Sequence, residues 1–523
     1  MVKPRRKALA AAVGLAALSL APSSRADWQF DPRLELRETY TDNVMLLGPG
    51  QERSQLVSEL TPGLAISNHS QRMDFSGSYS KHLFKYADSD LGGINGVRGN
   101  TQQLQANLKA RLLGESLFLD STASISQQGT SAFGPGGLIE NGVPGNGFAS
   151  GVSSEIKAFR ISPYFVQRFG SFARAELRYA RDRVSSDNAA FATSNGNNLS
   201  LNLASGQAFR VLGWSLSYNR QELSDTLANN ATSQSQSLSG ALNYVYSSML
   251  TMTVSTGYDE YDYQAPGGTT KGKSWSVGGT WTPSSRTRVQ ASIGKRYFGD
   301  SYSLVAMHRG RSSVLSVNYS DSVTTTRSQF LLPSAVNTAD LLDQMFQAAI
   351  PDAAARRQAV LAYIQAAGLP ASLANSINYL SNRYMLQKQA TATAAFNSAR
   401  GTLILALSDF RRDGLSVVDV DAGLLGASNN TLNDNTRQTG GTATANWRLS
   451  PHSSINLGLG RNKTRSLATG RVDNTSSYRI NLTRQFAGKL YGNVELRKVK
   501  GATAVAGRDY TENAVSASLS KQF

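Results

Sequence analysis

Few residues in this chain are equipped for covalent or metal chemistry. Its 523 residues include no Cys and four His. Lack of Cys excludes thiolate nucleophiles, Fe–S clusters, disulfides, Cys-ligated zinc and a lipobox anchor. His69, His82, His308 and His452 are scattered, so a multi-His metal site is not expected, and no spacing joins one of them to a particular Ser as base to nucleophile. A glycosidase needs two carboxylates at a fixed separation, which side chains on separate strands can supply but a sequence cannot display. The run Phe133-Gly134-Pro135-Gly136-Gly137 lacks the Lys-Ser/Thr of a phosphate loop, and Asp421 to Asp434 lacks EF-hand spacing. No catalytic, cofactor or metal residue is assigned, no cofactor is expected, and the chain reads as something other than an enzyme.

What the sequence does supply is charge on one face of alternating segments. Arg174, Glu176 and Arg178 oppose Ala173, Ala175, Leu177 and Tyr179; Arg288 and Arg296 oppose Val289, Ala291 and Ile293. With Arg479, Glu495 and Arg497 these charged residues form a set of candidate lumen-lining groups, with Glu512 a further counter-charge. A positive interior favours anionic solutes. Alternatively, the Arg and Glu side chains pair across strands and brace the wall without selecting anything.

The elements needed to position such a set are long strands with period 2. Alternation recurs throughout, as in Ser454-Ile455-Asn456-Leu457-Gly458-Leu459-Gly460 and Ser477-Tyr478-Arg479-Ile480-Asn481-Leu482-Thr483. One apolar and one polar face per strand is the pattern of a transmembrane barrel with a wet interior. A soluble sandwich or solenoid also alternates, but would need a second apolar set for its core. Short turns near Ser70, Gly114, Phe169, Arg210, Ser247, Pro283, Arg309, Ala399, Pro451 and Ala487 alternate with longer polar connections, the tight link Phe298–Ser301 excepted. The segments predict an all-β fold: a single large transmembrane β-barrel of about 22 antiparallel strands, within a range of about 18 to 24. Both termini then lie on the periplasmic side.

Three stretches stand apart. Lys3-Pro4-Arg5-Arg6-Lys7, the apolar run Ala8–Ala21 and Ser24-Arg25-Ala26 predict a signal peptide over residues 1–26, Sec-dependent export and a mature barrel over 27–523. Arg5-Arg6 lacks the flanking residues of a twin-arginine signal. The first strand follows almost at once, leaving no room for an N-terminal plug domain such as a nutrient receptor carries. The last strand ends on Phe523, a C-terminal aromatic of the kind read by the outer-membrane assembly machinery. Within residues 329–383 the Ala-rich composition, with Pro351, Pro370 and Gly368 at helix ends, predicts short helices. Parity puts this insert on the extracellular side, as a cap over the mouth or a loop folded into it.

The excess of 53 Lys+Arg over 36 Asp+Glu does not indicate nucleic acid. Lys3, Arg5, Arg6, Lys7 and Arg25 belong to the signal, and the rest are spread singly along strand-like segments. Expected partners are instead outer-membrane lipids, lipopolysaccharide and the assembly machinery.

Several motifs resemble the outer-membrane β-barrel proteins associated with PEP-CTERM (exosortase) systems. They are Pro32-Arg33-Leu34-Glu35-Leu36-Arg37-Glu38-Thr39-Tyr40-Thr41-Asp42-Asn43-Val44, Phe298-Gly299-Asp300-Ser301-Tyr302 with His308, and Pro351-Asp352 through Arg356-Arg357. Leu380-Ser381 to Tyr384, Leu386 and Gln387 belong with them, as does Ala399-Arg400-Gly401-Thr402-Leu403, where relatives tend to carry Arg-Asn. The resemblance covers essentially the mature chain and implies a channel or assembly component for exopolysaccharide export, with an anionic polysaccharide and periplasmic export proteins as partners. It transfers no site residues. A structural or assembly barrel without transport is the second reading, and a rim-located lipid- or glycan-modifying enzyme the third.

Overall fold

The structure is a computed structural model that describes residues 28–88, 99–129, 131–133, 153–191, 193–225, 232–262, 271–331, 342–343, 346–347, 356, 360, 381, 383–415, 435–504 and 508–523. The proposed signal peptide, the acidic stretch Asp421 to Asp434 and most of the Gly-rich run lie outside them.

Twenty-two strands follow in chain order. The first six are β1 (Trp28–Thr41), β2 (Gln55–His69), β3 (Met73–Tyr86), β4 (Asn100–Leu113), β5 (Leu117–Gly129) and β6 (Ser153–Phe169). Next come β7 (Ala173–Ser186), β8 (Ser194–Ser205), β9 (Leu212–Asp225), β10 (Thr232–Val245), β11 (Leu250–Asp262) and β12 (Lys271–Ser284). They continue as β13 (Thr287–Arg296), β14 (Gly299–Arg309), β15 (Ser313–Thr325), β16 (Tyr384–Asn397) and β17 (Gly401–Gly414). The last five are β18 (Asn435–Ser450), β19 (Ser453–Ser466), β20 (Val472–Gln485), β21 (Leu490–Ala502) and β22 (Tyr510–Gln522). Each strand pairs antiparallel with its chain neighbours, and β1 pairs with β22 from Arg33↔Gln522 to Thr41↔Ala514, which closes the ring. A closed sheet leaves no edge, so every strand can cross hydrocarbon with its backbone paired.

Period-2 alternation now has a direction. Leu216, Met252, Val254, Trp275, Ile293, Leu459, Ile480 and Leu496 are exposed on the outer wall, and many other large apolar side chains join them. An apolar surface this continuous far exceeds what a water-soluble monomer presents and must meet lipid. Aromatic side chains bound it. On β12, Trp281 and Trp275 stand six residues apart, roughly 20 Å along the strand, with Val277 and Gly279 between them. Near the short-turn end Phe172, Phe209 and Trp214 cluster with ring centroids 5.2–6.3 Å apart. The chain folds as an outer-membrane β-barrel.

The turns follow from local chemistry. Gly114 and Gly170 take φ of +52° and +56° in the tight links β4–β5 and β6–β7, a region costly for other residues. Short links and both described chain ends share one rim, taken as periplasmic; longer connections share the other. The β12–β13 turn falls at Ser285-Arg286, just past Pro283-Ser284, and β14 begins at Gly299. One element was not anticipated: a helical turn, α1 (Thr326–Phe330), directly continues β15 and is capped reciprocally by Thr325 and Ser328. Of the helices predicted beyond it, Leu342, Asp343, Phe346, Arg356 and Val360 are helical, and the remainder lies outside the described residues.

The face assignment is testable at one strand. Ala291 stands on the lipid side of β13 between Val289 and Ile293, whereas Arg288 faces inward opposite Met307. Ala291→Arg should cost about 2–4 kcal/mol of barrel stability, and Arg288→Glu almost nothing. The fraction of heat-modifiable folded protein on gels reads both, and normal folding of Ala291→Arg with loss of Arg288→Glu would reverse the faces.

Candidate functional site: an occupied lumen

The eight charged candidates all project inward, but mostly not as free charge. Arg178 donates to Asp120 of β5 at 2.8 Å and to Glu176 at 3.2 Å, while its guanidinium lies 3.8 Å from the Tyr164 ring centroid. Arg174 reaches Glu176 at 3.6 Å. Arg296 grips Asp259 of β11 with two bonds of 3.1 and 3.0 Å. Arg497 bonds Glu512 of β22 at 2.8 Å and lies 3.7 Å from Glu495; Thr41 of β1 donates to the same Glu512 at 2.9 Å. Arg479 sits directly opposite Arg497 in the β20–β21 register. Arg37, Glu35 and Glu59 continue the pattern on β1 and β2. Such pairs, strung across adjacent strands, fix the wall and cancel most of its field.

One exception is at the periplasmic rim. Arg286, Arg288 and Arg309 converge on a cavity of about 610 Å³ that Ser248, Thr282 and Met307 help to line. None of the three Arg side chains has a carboxylate partner among the described residues. Gln347 lines the same cavity and its Oε1 accepts a hydrogen bond from Arg309 Nη1. Gln347 belongs to the connection between β15 and β16, which leaves the wall at the opposite, extracellular rim. Gln347 therefore stands inside the barrel at the end far from the rim where its connection leaves the wall. Of the other described residues in it, Leu342, Arg356 and Val360 are buried, and Arg356 donates to Asp343 at 2.8 Å. Of the two sequence alternatives, cap or folded-in loop, these residues take the second.

Where the connection begins, it draws two walls together. A round wall of 22 tilted strands would be roughly 40 Å across. Arg327 lies two residues beyond β15, within about 7 Å of chain, yet it hydrogen-bonds Asp182 of β7 and Ser194 of β8, at least seven strands round the ring. Tyr384, first residue of β16, places its Oη 2.7 Å from Ser233 Oγ of β10. The extracellular mouth is thus pinched, with β7–β10 against β15–β16. Phe330 and Leu331 pack there on Ile156, Ala158, Val184 and Phe191, each well-buried side chain contributing about 1.5–3 kcal/mol. Close approach also needs Gly196: a Cβ there would stand 2.5 Å from the Arg327 guanidinium and 2.7 Å from Asp182 Oδ1.

The walls either side of the pinch differ. Inward side chains of β16 and β17, among them Thr391, Thr393, Ile404, Ala406 and Phe410, are covered. Those of β10 to β13 include partly accessible hydroxyls in rows: Ser237, Ser239, Thr253, Ser255, Ser276 and Ser292. Cross-strand contacts such as Ser255–Ser276 at 2.6 Å and Ser292–Ser303 at 2.7 Å leave each hydroxyl further capacity to donate or accept.

Sequence spacing gave no partner for the His residues, and the fold supplies one for three of them. His82 Nδ1 lies 2.6 Å from Glu59 and its Nε2 3.4 Å from Ser80 Oγ, the order of a Ser–His–carboxylate relay. The β3–β4 ladder runs unbroken past this group, while the β2–β3 register lapses at Lys81 and His82, opposite Pro62 and Thr61. His69 contacts Asp74 at 2.9 Å and His308 contacts Thr287 at 2.8 Å, both near the periplasmic rim.

The outer anchor is the element to break. Asp182 and Arg327 are both buried, so Arg327→Gln breaks a buried ion pair, a loss of about 3–5 kcal/mol that Arg160, opposite Asp182 in the β6–β7 register, offsets in part. A protease site introduced beside Arg356 should be cut slowly from outside in the parent and at least tenfold faster in Arg327→Gln, with the barrel itself still heat-modifiable. Equal cleavage rates would show that the anchor does not hold the connection inside.

No protein-family model matches the chain, and no curated protein does. Among solved structures it is similar to the siderophore receptor PirA from Pseudomonas aeruginosa, at 11% identity over 96% of this chain and 81% of that one, with a TM-score of 0.45. It is similar also to the FrpB iron transporter from Neisseria meningitidis (F3-3 variant), at 9% identity over 94% and 81%, with a TM-score of 0.47. These are likenesses of architecture.

Proposed function

We propose that this protein is an outer-membrane channel for an exopolysaccharide, held shut by its own β15–β16 connection. The observation that carries this reading is the position of that connection: anchored through Arg327 at the extracellular mouth and touching Arg309 at the periplasmic one. A barrel wide enough to hold it has, once it moves, room for an extended polymer. Hydroxyl rows on β10 to β13 suit sugar, because Ser and Thr exchange hydrogen bonds with a sliding glycan without fixing any one register. The unmatched Arg286, Arg288 and Arg309 at the periplasmic entrance favour a polymer that carries negative charge. Polysaccharide as the substrate class also rests on the motifs resembling the PEP-CTERM-associated family, and that resemblance supports a place beside periplasmic export proteins.

A structural barrel is the second reading, favoured by the buried ion pair and apolar cluster that tie the connection to the wall. Excising the connection separates the two. Thr325 pairs directly with Tyr384, so a short turn can replace residues 331–383 without stretching β15 or β16. The parent should give few and small conductance steps in planar bilayers, and the excised variant stable steps of nanosiemens size with faster entry of charged dextran into liposomes. A folded but silent excised variant would favour the structural barrel.

A further inference from the structure

The outer wall carries a feature that neither transport nor bracing uses. On β19 the outward positions read Ile455, Leu457, Leu459 and then Arg461, Lys463, Arg465; on β21 they read Val494, Leu496 and then Lys498, Lys500. In both strands the change from apolar to basic occurs toward the extracellular rim. β20 lies between them with Tyr478, Ser476 and Asn474 outward, and register sets Arg461, Ser476 and Lys500 side by side. Two columns of cations thus stand two strand spacings, roughly 10 Å, apart across a polar floor.

All five cations are exposed, and none has an ion-pair partner among the described residues. Acids nearby are turned away: Asp473, Glu495 and Glu512 point into the lumen, where Arg471 and Arg497 hold them. Three outward cations elsewhere near this rim are matched, Arg220 by Glu222, Arg411 by Asp413 and Arg437 by Asp409, whereas Arg181 and Arg183 of β7 are exposed without a carboxylate among the described residues but stand on one strand only. Unmatched cations directly above hydrocarbon are costly unless their counter-ions come from the lipid.

We propose that β19–β21 form a binding site for lipopolysaccharide, its acyl chains lying on Leu457, Leu459, Ile480 and Leu496 and its phosphates on the two cation columns. Separated columns suit an amphiphile with two phosphates on a sugar backbone better than a phospholipid with one. Lys and Arg suit the task because their stems lie along apolar surface while their heads reach the phosphate layer.

The test uses the full mature barrel in detergent, with thermal unfolding followed against added lipid. Purified lipopolysaccharide should raise the midpoint of the parent. Arg461→Gln/Lys463→Gln/Lys500→Gln should need on the order of 100-fold more of it for the same shift. Arg461→Lys/Lys463→Arg/Lys500→Arg should behave as the parent, as should Lys157→Gln/Arg220→Gln/Arg411→Gln, which alters only cations paired with Glu155, Glu222 and Asp413. Enzymatically dephosphorylated lipopolysaccharide should not distinguish parent from triple-Gln variant. Equal affinity of parent and triple-Gln protein for intact lipopolysaccharide would overturn the proposal. So would equal protection of the parent by phosphatidylglycerol, which would make the wall a general anionic-lipid surface.

Discussion

A peptide group in hydrocarbon has no water to bond, so each crossing segment must satisfy its N–H and C=O groups within the protein. Pairing of β1 with β22 meets that demand, and everything else in the molecule is arranged on its result. Once the ring is closed, alternate side chains have only two destinations, lipid or lumen. Alternation that would be a weak preference in a soluble sheet becomes obligatory here, because a register slip by one would bring every luminal Arg to the bilayer.

A ring of this size has a second problem, its own interior. Unsupported, a wide wall is free to flatten, and the structure uses the flattening. The β7–β10 and β15–β16 walls meet at the extracellular mouth, where Asp182 and Arg327 give up water together and Phe330 and Leu331 add apolar burial beside them. The ion pair alone contributes little net stability, since desolvation offsets most of its attraction. Its effect is positional: Arg327 bonds Asp182 of β7 and Ser194 of β8 together, which seats α1 against that wall. The apolar cluster supplies the favourable free energy at that seat, and Gly196 supplies the clearance.

Strand number, connection parity and the inward set of Arg174, Arg178, Arg288, Arg296 and Arg479 were legible because they depend on local signals, period 2 and turn residues. Pairing of those Arg side chains was not. Arg178 and Asp120 are 58 residues apart, Arg296 and Asp259 37, and which carboxylate faces which guanidinium is decided by register between strands. The path of the β15–β16 connection was hidden for the same reason: helical composition predicts helices, but Arg327 and Asp182 are 145 residues apart. His82 is the smallest case. Its neighbours in sequence give no partner but Ser80, and Glu59 arrives only through the β2–β3 ladder.

Charge shows most plainly how lateral pairing changes what a sequence seems to say. Along the chain Arg461, Lys463 and Arg465 alternate with Gly460, Asn462 and Thr464, and Lys498 and Lys500 come more than thirty positions later, so the charge looks dispersed. Folding β20 back between β19 and β21 gathers the five into one panel. The surplus of 53 Lys+Arg over 36 Asp+Glu is therefore not expressed evenly. Inside, Asp120, Glu176, Asp259, Glu495 and Glu512 each stand within 4 Å of an Arg nitrogen, and Arg286, Arg288 and Arg309 gather at one cavity without a carboxylate among the described residues. Outside, none of the described carboxylates pairs with the β19–β21 panel. The same alternation that forces the luminal Arg residues inward thus leaves two different electrostatic demands: one answered by the protein itself, the other by the membrane it sits in.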